Sequence, residues 1–252
     1  RRRLTLSKRI LFISDLHLEE SRPDITDALL AFLNRNKASC GALYILGDLF
    51  ETWIGDDDRS TLSDTVADAL TEFQQAGSSI YLLHGNRDFL IGNEYANRCG
   101  ASLIHDSTVI NSPAGPILVL HGDDLCTDDI EYLQFRDLVR QPTWQQEFLS
   151  KPLPERRAFA EQARQQSKNA TASKDNSIMD VNAGAVEKRL IEQGQSLMIH
   201  GHTHRPQVHE LQLSHPVAGS HEARRVVLGD WDKNGWFIEV SSEGLKLEQF
   251  PL

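Results

Sequence analysis

The chain has 252 residues, of which 40% are hydrophobic and 25% charged, and its formal net charge is -10. This composition predicts a globular chain that is long enough to bury one large core. The acidic balance argues against general nucleic-acid binding, which depends on Lys and Arg at the phosphates. It does not exclude phosphate chemistry, because bound divalent cations reverse the local field.

The cysteine count and the apolar runs exclude two further classes of protein. Three cysteines without a CxxC pair favour reduced thiols in a cytosolic protein over a disulfide framework. No apolar run approaches the roughly 18–20 residues that a membrane helix needs. The N-terminal segment lacks the long apolar part and the cleavage site of a signal peptide. We interpret it as a strand behind a basic tail, Arg1–Arg3, for which contact with anionic lipid is the alternative.

Short apolar runs alternate with helical patterns in the first half of the chain. Strands are predicted at 10–14, 42–46, 79–83 and 116–120. Helices are predicted at 23–37, about 60–75 and about 89–98. Such alternation predicts βαβ units and a largely parallel sheet.

The pattern changes in the second half of the chain. Residues 128–193 are polar, helical in propensity and free of strand-like runs, so we interpret them as a helical insertion, or cap, within one domain spanning 1–252. A strand is predicted at 196–200. Alternating segments at 208–213, 225–228, 236–240 and 245–250 predict an antiparallel end to a second sheet.

Five predicted strands end in short polar clusters. These clusters are SDLH (14–17), GDLF (47–50), GNRD (85–88), HGDD (121–124) and HGHTH (200–204). Because ligands of open α/β sheets bind at the carboxyl ends of the strands, we expect the five clusters to meet at one edge.

The side chains of these clusters suit a metal site. The candidate ligands are Asp15, His17, Asp48, Asn86, His121, His202 and His204, with His200 as a further candidate. Residues two apart in an extended segment point the same way, so Asp15 and His17 can face one metal ion, and so can His202 and His204. Imidazole with carboxylate suits manganese, iron or zinc, and the lack of Cys disfavours structural zinc. Taken singly, each residue could be a helix cap or turn residue, but caps do not explain all five clusters.

The order of these clusters resembles the signature of calcineurin-like metallophosphoesterases, which is D-x-H, G-D, G-N-x-D, H-G and G-H-x-H. The resemblance implies an α/β fold, a sandwich of two mixed β-sheets flanked by helices. It implies that Asp48 bridges two metal ions. The ions would take Asp15, His17, Asp48 and His204 on one side, and Asp48, Asn86, His121 and His202 on the other.

One position departs from the family pattern. Many members have His after the Asn of G-N-x-D, where it helps to protonate the leaving oxygen, whereas this chain has Arg87. Arg cannot act as a general acid, but it can hold phosphate oxygens in two hydrogen bonds. This suits a leaving group that is itself a phosphate, as in a pyrophosphate ester. We expect the neighbouring Asp88 to orient a histidine ligand.

Longer blocks narrow the resemblance to the subfamily of UDP-2,3-diacylglucosamine hydrolases of lipid A biosynthesis. They lie at 43–58, 84–92, 121–129, 178–182 and 199–211. The subfamily implies two Mn²⁺ ions and water attack on the α-phosphorus, giving UMP and 2,3-diacylglucosamine 1-phosphate (lipid X). It implies catalytic roles for Asp48, Asn86, Arg87 and His202. It implies substrate contacts at Asn86, Arg87, Asp129, Ser167, Thr171, Lys174 and His202, with Thr171 where the subfamily often has Asn.

A diacylated substrate needs an apolar groove, and the insertion offers candidates for it. They are Phe135, Leu138, Val139, Trp144, Phe148, Leu149, Leu153 and Phe159, although the same residues could pack the helices of the insertion together. Arg156, Arg157 and Arg164 could meet anionic headgroups. The resemblance implies a monomer that is peripheral on the cytoplasmic face of the inner membrane and binds no nucleic acid.

Two other functions fit the same motifs. The first is a generic two-metal phosphodiesterase or phosphatase, against which GNRD and the insertion argue. The second is a catalytically silent scaffold of the same fold, against which the complete set of expected ligands argues.

Overall fold

The structure, a computed structural model, describes residues 9–173 and 180–252, with only the backbone described for 170–173. Arg1–Arg3 and Lys174 therefore lie outside the described residues. Two mixed sheets carry the fold. The first contains β1 (Arg9–Ile13), β2 (Cys40–Leu46), β3 (Ser79–Leu83), β4 (Ala101–Leu103), β10 (Asn234–Ser241) and β11 (Gly244–Pro251). The second contains β5 (Thr108–Ser112), β6 (Gly115–Val119), β7 (Leu197–His200), β8 (Gln207–Val217) and β9 (Ser220–Val227).

The strand order is β11-β10-β1-β2-β3-β4 in the first sheet and β5-β6-β7-β9-β8 in the second. Strands β1 to β4 are parallel, as the alternating pattern predicts. The connecting helices are α1 (Pro23–Asn36), α2 (Thr61–Gln75) and α3 (Asn93–Arg98). The side chains of β1 explain the layering, because Leu11 and Ile13 face the helices whereas Phe12 faces the second sheet. The predicted sandwich of two mixed sheets flanked by helices is confirmed.

The prediction that all four C-terminal strands finish the second sheet is wrong. Only β8 and β9 do so, and β10 adds to the first sheet antiparallel to β1, with Ile10 opposite Val240. The placement follows from burial on both faces of β10, since Ile238 packs between the sheets while Phe237 packs against the helical side. Alternation alone does not identify the sheet to which such a strand belongs.

Helix α3 is shorter than the pattern at 89–98 predicts. It begins at Asn93, because the Asp56 carboxylate accepts hydrogen bonds from the N–H groups of Gly92 and Tyr95, both at 2.9 Å. The first helical turn is thus capped by a residue from a distant loop, and residues 89–92 are left as a turn beside the site.

The predicted insertion is helical throughout the part that the structure describes. It contains α4 (Ile130–Val139), α5 (Pro142–Leu149), α6 (Leu153–Ser173) and α7 (Ala183–Gln193). Helices α4, α5 and α6 form what we call the cap, whereas α7 packs on the second sheet through Val186 and Leu190. The division into one domain with an insertion stays a prediction. Among the described helices, none combines the length and the apolar character needed to cross a bilayer.

Candidate active site

The loops that follow β1 and β2 are held together by backbone hydrogen bonds. The N–H of Asp15 donates to the carbonyl of Gly47 at 3.1 Å, and that of His17 donates to Asp48 at 3.0 Å. The N–H of Glu51 in turn donates to Leu18 at 3.2 Å. Because these bonds extend the parallel pairing beyond the strand ends, the two polar clusters lie at one edge of the first sheet.

Five of the predicted ligands have backbone conformations that are unusual for residues with a side chain. Their φ angles are 55° at Asp15, 50° at His17, 52° at Asp48, 65° at His202 and 54° at His204. A left-handed φ costs a non-glycine residue about 1–3 kcal/mol and is concentrated at functional sites. The fold therefore retains local strain at the positions that aim these side chains.

One group of nitrogen and oxygen atoms forms around His17. Its Nε2 lies 3.3 Å from His204 Nε2 and 3.8 Å from Asp48 Oδ2. Asp15 Oδ1 lies 3.4 Å from His204 Nε2. These four side chains are those that the family resemblance implies for one of the two metal ions.

A second group forms around Asn86. Its Oδ1 lies 3.0 Å from His121 Nε2 and 3.0 Å from His202 Nδ1. Asp48 Oδ2 lies 3.6 Å from His121 Nε2, so the same carboxylate oxygen contacts both groups. Two adjacent donor sets that share one carboxylate fit the binding of two divalent cations.

Two glycines allow this close approach. A Cβ at Gly85 would collide with the side chain and backbone of Asp48. Gly47 has a φ of +94°, and a Cβ there would lie 2.6 Å from His121 Nδ1. Both glycines are therefore needed sterically, and Gly47 is needed for its backbone conformation as well.

The two carboxylates among the candidate ligands, Asp15 and Asp48, have opposite pKa shifts. Burial alone would raise the pKa of Asp15, but the hydrogen bond and charge of His204, aided by His121, hold it well below its ordinary value. Burial raises the pKa of Asp48 to about 6, although His121 and His17 act to lower it. Asp48 is thus the carboxylate whose charge most needs a nearby cation.

The histidines respond to the same field. Burial would lower the pKa of His17, but the hydrogen bond to Glu51 and the charge of Asp48 raise it to about 9. Burial would likewise lower the pKa of His121, but the charges of Asp48, Asp15 and Asp123 together raise it to about 9. Burial, with the charge of His121, lowers the pKa of His202 to about 4. The site therefore attracts positive charge around Asp48 and keeps His202 neutral at neutral pH.

The prediction of His200 as a further ligand is wrong. Its Nδ1 lies 2.8 Å from the carbonyl oxygen of Gly201, and its Nε2 accepts a hydrogen bond from Arg225 at 3.1 Å. Burial, with the charge of Arg225, lowers the pKa of His200 to about 3. Both ring nitrogens are used outside the ligand cluster, because β7 still has strand geometry at this residue and turns its side chain away.

The role expected for Asp88 is also wrong, because no described contact links it to a histidine ligand. Its carboxylate accepts hydrogen bonds from the N–H groups of Leu49 at 2.7 Å, Gly85 at 2.8 Å and Asp48 at 3.2 Å. Asp88 is buried and joins the loops that follow β2 and β3. It positions the backbone of Asp48, a role that only the folded loops reveal.

The residues expected to contact substrate have different placements. Asn86, Arg87, Asp129 and Ser167 line one cavity of about 320 Å³ between the cap and the first sheet. Asp129 also caps α4, since its Oδ1 accepts a hydrogen bond from the N–H of Tyr132 at 3.1 Å. The side chain of Thr171 and all of Lys174 lie outside the described residues.

The cavity has aromatic walls that extend away from the ligand cluster. Phe135, Trp144, Phe148 and Phe159 line it from the cap, and Phe89 lines it from the turn after β3. The rings of Trp144 and Phe148 stack with centroids 4.9 Å apart. These rings therefore both pack the cap and face the cavity.

The remaining apolar candidates divide differently. Val139 is buried, Leu153 is half-buried against the main core, and Leu138 and Leu149 are exposed. None of these four is among the residues that line the cavity. Part of the candidate set thus lines the cavity, part is packed in the protein, and two residues face solvent, whereas a role in holding acyl chains stays a prediction.

The expectation that Arg156, Arg157 and Arg164 meet lipid headgroups is wrong for Arg156, and it stays a prediction for Arg157 and Arg164, whose side chains are 59% and 32% exposed. Arg156 is 2% exposed, pairs with Asp57 and donates to the carbonyl of Ile54 at 2.7 Å. Arg157 pairs with Asp58. Arg164 lies 2.8 Å from Glu51. These arginines form ion pairs that join the cap to the acidic loop after β2. Local sequence does not indicate that this loop is their partner.

Sequence reasoning also missed a buried cluster that joins the cap to the site. Asp123 is fully buried, accepts a hydrogen bond from the hydroxyl of Tyr132 and lies 2.7 Å from Arg136 Nε. Arg136 also contacts Asp106 at 3.0 Å. The sequence places Asp123 of HGDD directly after a predicted strand. It does not indicate the partners of Asp123, Tyr132 and Arg136, which lie on α4 at no characteristic spacing.

Comparison with known proteins agrees with this geometry. A family model described as calcineurin-like phosphoesterase matches residues 8–206. A UDP-2,3-diacylglucosamine hydrolase of Cellvibrio japonicus is 50% identical over 242 residues, covering 96% of this chain and 99% of that protein. Proteins of the same name from Marinobacter nauticus and Stenotrophomonas maltophilia are 50% and 46% identical, covering 96% and 94% of this chain and 98% and 97% of their own. The resemblance inferred from the motifs is confirmed.

Proposed function

The chain belongs to the calcineurin-like phosphoesterase family and is a hydrolase, and on that premise we propose that it cleaves the diphosphate bond of UDP-2,3-diacylglucosamine. The products are UMP and 2,3-diacylglucosamine 1-phosphate, and the pathway is lipid A biosynthesis. One observation carries the proposal. The aromatic-walled cavity opens onto the ligand cluster, and Asn86 and Arg87 lie at their junction. A molecule with apolar chains and a diphosphate would place its chains against the aromatic walls and its diphosphate at the candidate ligands.

Two Mn²⁺ ions are the proposed cofactors. The donor set of imidazole nitrogens, carboxylate oxygens and one amide oxygen suits divalent cations of this kind. When bound, such ions polarise water and the phosphate oxygens. Asp15, His17, Asp48 and His204 would hold one ion, and Asp48, Asn86, His121 and His202 would hold the other.

The protein's own groups then divide the remaining work. Water attacks the α-phosphorus, and the bond from that phosphorus to the oxygen shared with the β-phosphorus breaks. Arg87 holds the phosphate oxygens and offsets the charge on the departing lipid phosphate, which needs no proton to leave. His202, kept neutral by burial, donates a hydrogen bond to the diphosphate of the substrate without adding a positive charge. The cavity walls hold the acyl chains away from water.

Hydrolysis in isotopically labelled water tests the direction of attack. We expect the label in UMP, because the nucleophile adds to the α-phosphorus of the nucleotide. Label in the lipid phosphate instead would mean attack at the β-phosphorus, and would contradict the proposed placement of the diphosphate.

Replacing Arg87 by alanine is expected to lower kcat about a hundredfold, because a permanent charge beside the phosphate is lost. Manganese affinity should change far less than kcat, since Arg87 contacts Asp48 through its backbone N–H, at 2.8 Å, and acts on Glu51 only through its charge. Arg87→Lys should recover only part of the rate, because Lys lacks the planar pair of donors. Steady-state kinetics with a parallel metal titration measures both effects, and an unchanged kcat in Arg87→Ala would show that this side chain takes no part.

The aromatic cavity is proposed to hold acyl chains, and a pair of variants on one helix tests this. Phe135 lines the cavity, whereas Leu138 on the same helix does not, and both are exposed, at 39% and 49%. Phe135→Ser is expected to raise KM for detergent-dispersed diacyl substrate at least about tenfold, through lost apolar burial. Leu138→Ser should leave KM unchanged. Equal effects from the two substitutions would argue against this cavity as the acyl site.

We propose further that the protein is cytoplasmic and peripheral on the inner face of the inner membrane. Ile130 and Leu149 support this, as exposed apolar side chains of the cap at 65% and 39%. The protein should float with vesicles containing phosphatidylglycerol, and Ile130→Glu with Leu149→Glu should reduce the bound fraction severalfold. No flotation of the unsubstituted protein would contradict the membrane proposal while leaving the enzymatic one intact.

A further inference from the structure

Glu51 contacts a predicted metal ligand on one side and the cap on the other. Its Oε2 lies 2.6 Å from His17 Nδ1, and its Oε1 lies 2.8 Å from Arg164 Nη2 on α6. The Glu51 side chain is 13% exposed and that of His17 is 20% exposed, so both contacts are sheltered from water. Neither the motifs nor the family resemblance assigned Glu51 a role.

The backbone keeps this contact in place. Glu51 donates its N–H to the carbonyl of Leu18, the residue after His17, at 3.2 Å. Leu18 in turn donates to Leu49 at 2.9 Å, and Leu18 bridges Phe50 in parallel pairing. The loops carrying Glu51 and His17 are therefore in fixed register, and the carboxylate meets the imidazole without a long flexible connection.

The contact also selects which ring nitrogen faces the ligand cluster. A carboxylate at Nδ1 accepts a hydrogen bond, so the proton of the neutral imidazole is kept at Nδ1. The lone pair is then at Nε2, the atom that lies 3.3 Å from His204 Nε2 and 3.8 Å from Asp48 Oδ2. Carboxylates placed behind a histidine in this way fix its orientation and raise its strength as a ligand.

Arg164 adds the link to the cap. It belongs to α6, the long helix that carries Phe159 and Ser167 along the cavity. Glu19 is its other carboxylate contact, at 3.5 Å, and no described contact joins Glu19 to His17. A displacement of α6 would therefore remove the ion pair of Arg164 with Glu51 and leave Arg87, from outside the cap, as the other arginine whose charge acts on that carboxylate.

We propose that Glu51 is a positioning residue that orients His17 for metal binding and, through Arg164, couples the seating of the cap helix α6 to occupancy of that metal position. The inference rests on the proposed metal centre. Such coupling is reciprocal. If the seated position of α6 raises the affinity for the metal ion by some factor, bound metal should favour that position of α6 by the same factor.

Manganese titration of the full-length protein tests the proposal, with free Mn²⁺ followed by electron paramagnetic resonance. Glu51→Ala is expected to weaken one of two bound ions about 10–100-fold and to leave the other unchanged. Glu51→Gln keeps an oxygen acceptor but loses the charge, so its loss should be smaller. Arg164→Ala should weaken the same ion severalfold, and this effect should vanish in the Glu51→Ala background. Glu19→Ala, which removes the other partner of Arg164, is the matched control and should bind manganese as the parent does.

A second readout follows the cap itself. Hydrogen exchange along α6 should slow when Mn²⁺ is added to the parent protein and to Glu19→Ala, and should respond much less in Arg164→Ala. Thermal unfolding without metal identifies a variant that fails to fold. If Glu51→Ala does fail, Glu51→Gln and Arg164→Ala carry the test.

Three results have distinct meanings. Wild-type affinity for both ions in Glu51→Gln and Glu51→Ala would overturn the positioning role. An Arg164→Ala effect that is undiminished in the Glu51→Ala background would overturn the link through Glu51. A parent protein that binds no manganese would instead overturn the proposed metal centre, on which this inference rests.

Discussion

Asp48→Ala is expected to lower kcat for diphosphate hydrolysis about a thousandfold, a loss on the scale of removing a principal charge-stabilising group from an active site. Asp48 contacts both donor groups, with Oδ2 3.8 Å from His17 Nε2 and 3.6 Å from His121 Nε2. Its loss removes the one carboxylate that both donor groups share. The substitution should therefore reduce manganese stoichiometry as well as rate, which steady-state kinetics and metal titration measure together.

Two controls separate this effect from damage to the fold. Asp48→Asn retains the size of the side chain but removes the charge, so we expect a loss of rate close to that of the alanine variant. Asp68→Ala removes a carboxylate from the exposed face of α2 and should change neither rate nor metal binding. Full manganese-dependent hydrolysis by Asp48→Ala would show that the site has been assigned to the wrong residues.

Asp88→Ala is expected to reduce the free energy of unfolding by about 3–5 kcal/mol. The Asp88 side chain is 1% exposed, and its oxygens are the hydrogen-bond acceptors for the backbone N–H groups of Asp48, Leu49 and Gly85. Each N–H left without a partner costs about 1–3 kcal/mol. Urea denaturation without metal measures the change, since added Mn²⁺ would partly offset the loss by binding the folded state.

The conservative variant sharpens this prediction. Asp88→Asn keeps one carbonyl oxygen and turns the other acceptor into a donor that faces an N–H group, so its loss of stability should remain large. Arg87→Ala, one residue away but lining the cavity, should leave the unfolding free energy nearly unchanged. A loss below about 1 kcal/mol in Asp88→Ala would mean that water can take over the hydrogen bonds of these loops.

The strand-end pattern was enough to predict that the candidate ligand side chains lie close together, and there is a physical reason for this. Asp15, His17 and Asp48 follow parallel strands, and topology alone brings the ends of such strands to one edge. Asn86 arrives by the same rule from β3, whereas His121 follows β6 of the second sheet and reaches the site through the packing of the two sheets. Short-range spacing and fold class together therefore determine which side chains meet, although not their distances.

The errors have a different origin. His200 and His202 share a motif, but the left-handed φ at His202 aims its side chain into the cluster, whereas His200 is still within β7. Asp88 was assigned to a histidine because its true partners are backbone N–H groups, which no residue type reveals. Arg156 meets Asp57 across 99 residues of sequence. Each outcome depends on tertiary contacts that local sequence does not encode.

Incubation of the purified protein with UDP-2,3-diacylglucosamine and Mn²⁺ is the most direct test of the proposed function. We expect UMP and 2,3-diacylglucosamine 1-phosphate to form in equal amounts, with no UMP after chelation of the metal and almost none from Asp48→Ala. Hydrolysis of a generic nitrophenyl phosphodiester by the same preparation, without release of UMP from the UDP-lipid, would contradict the proposal and identify a phosphodiesterase of different specificity.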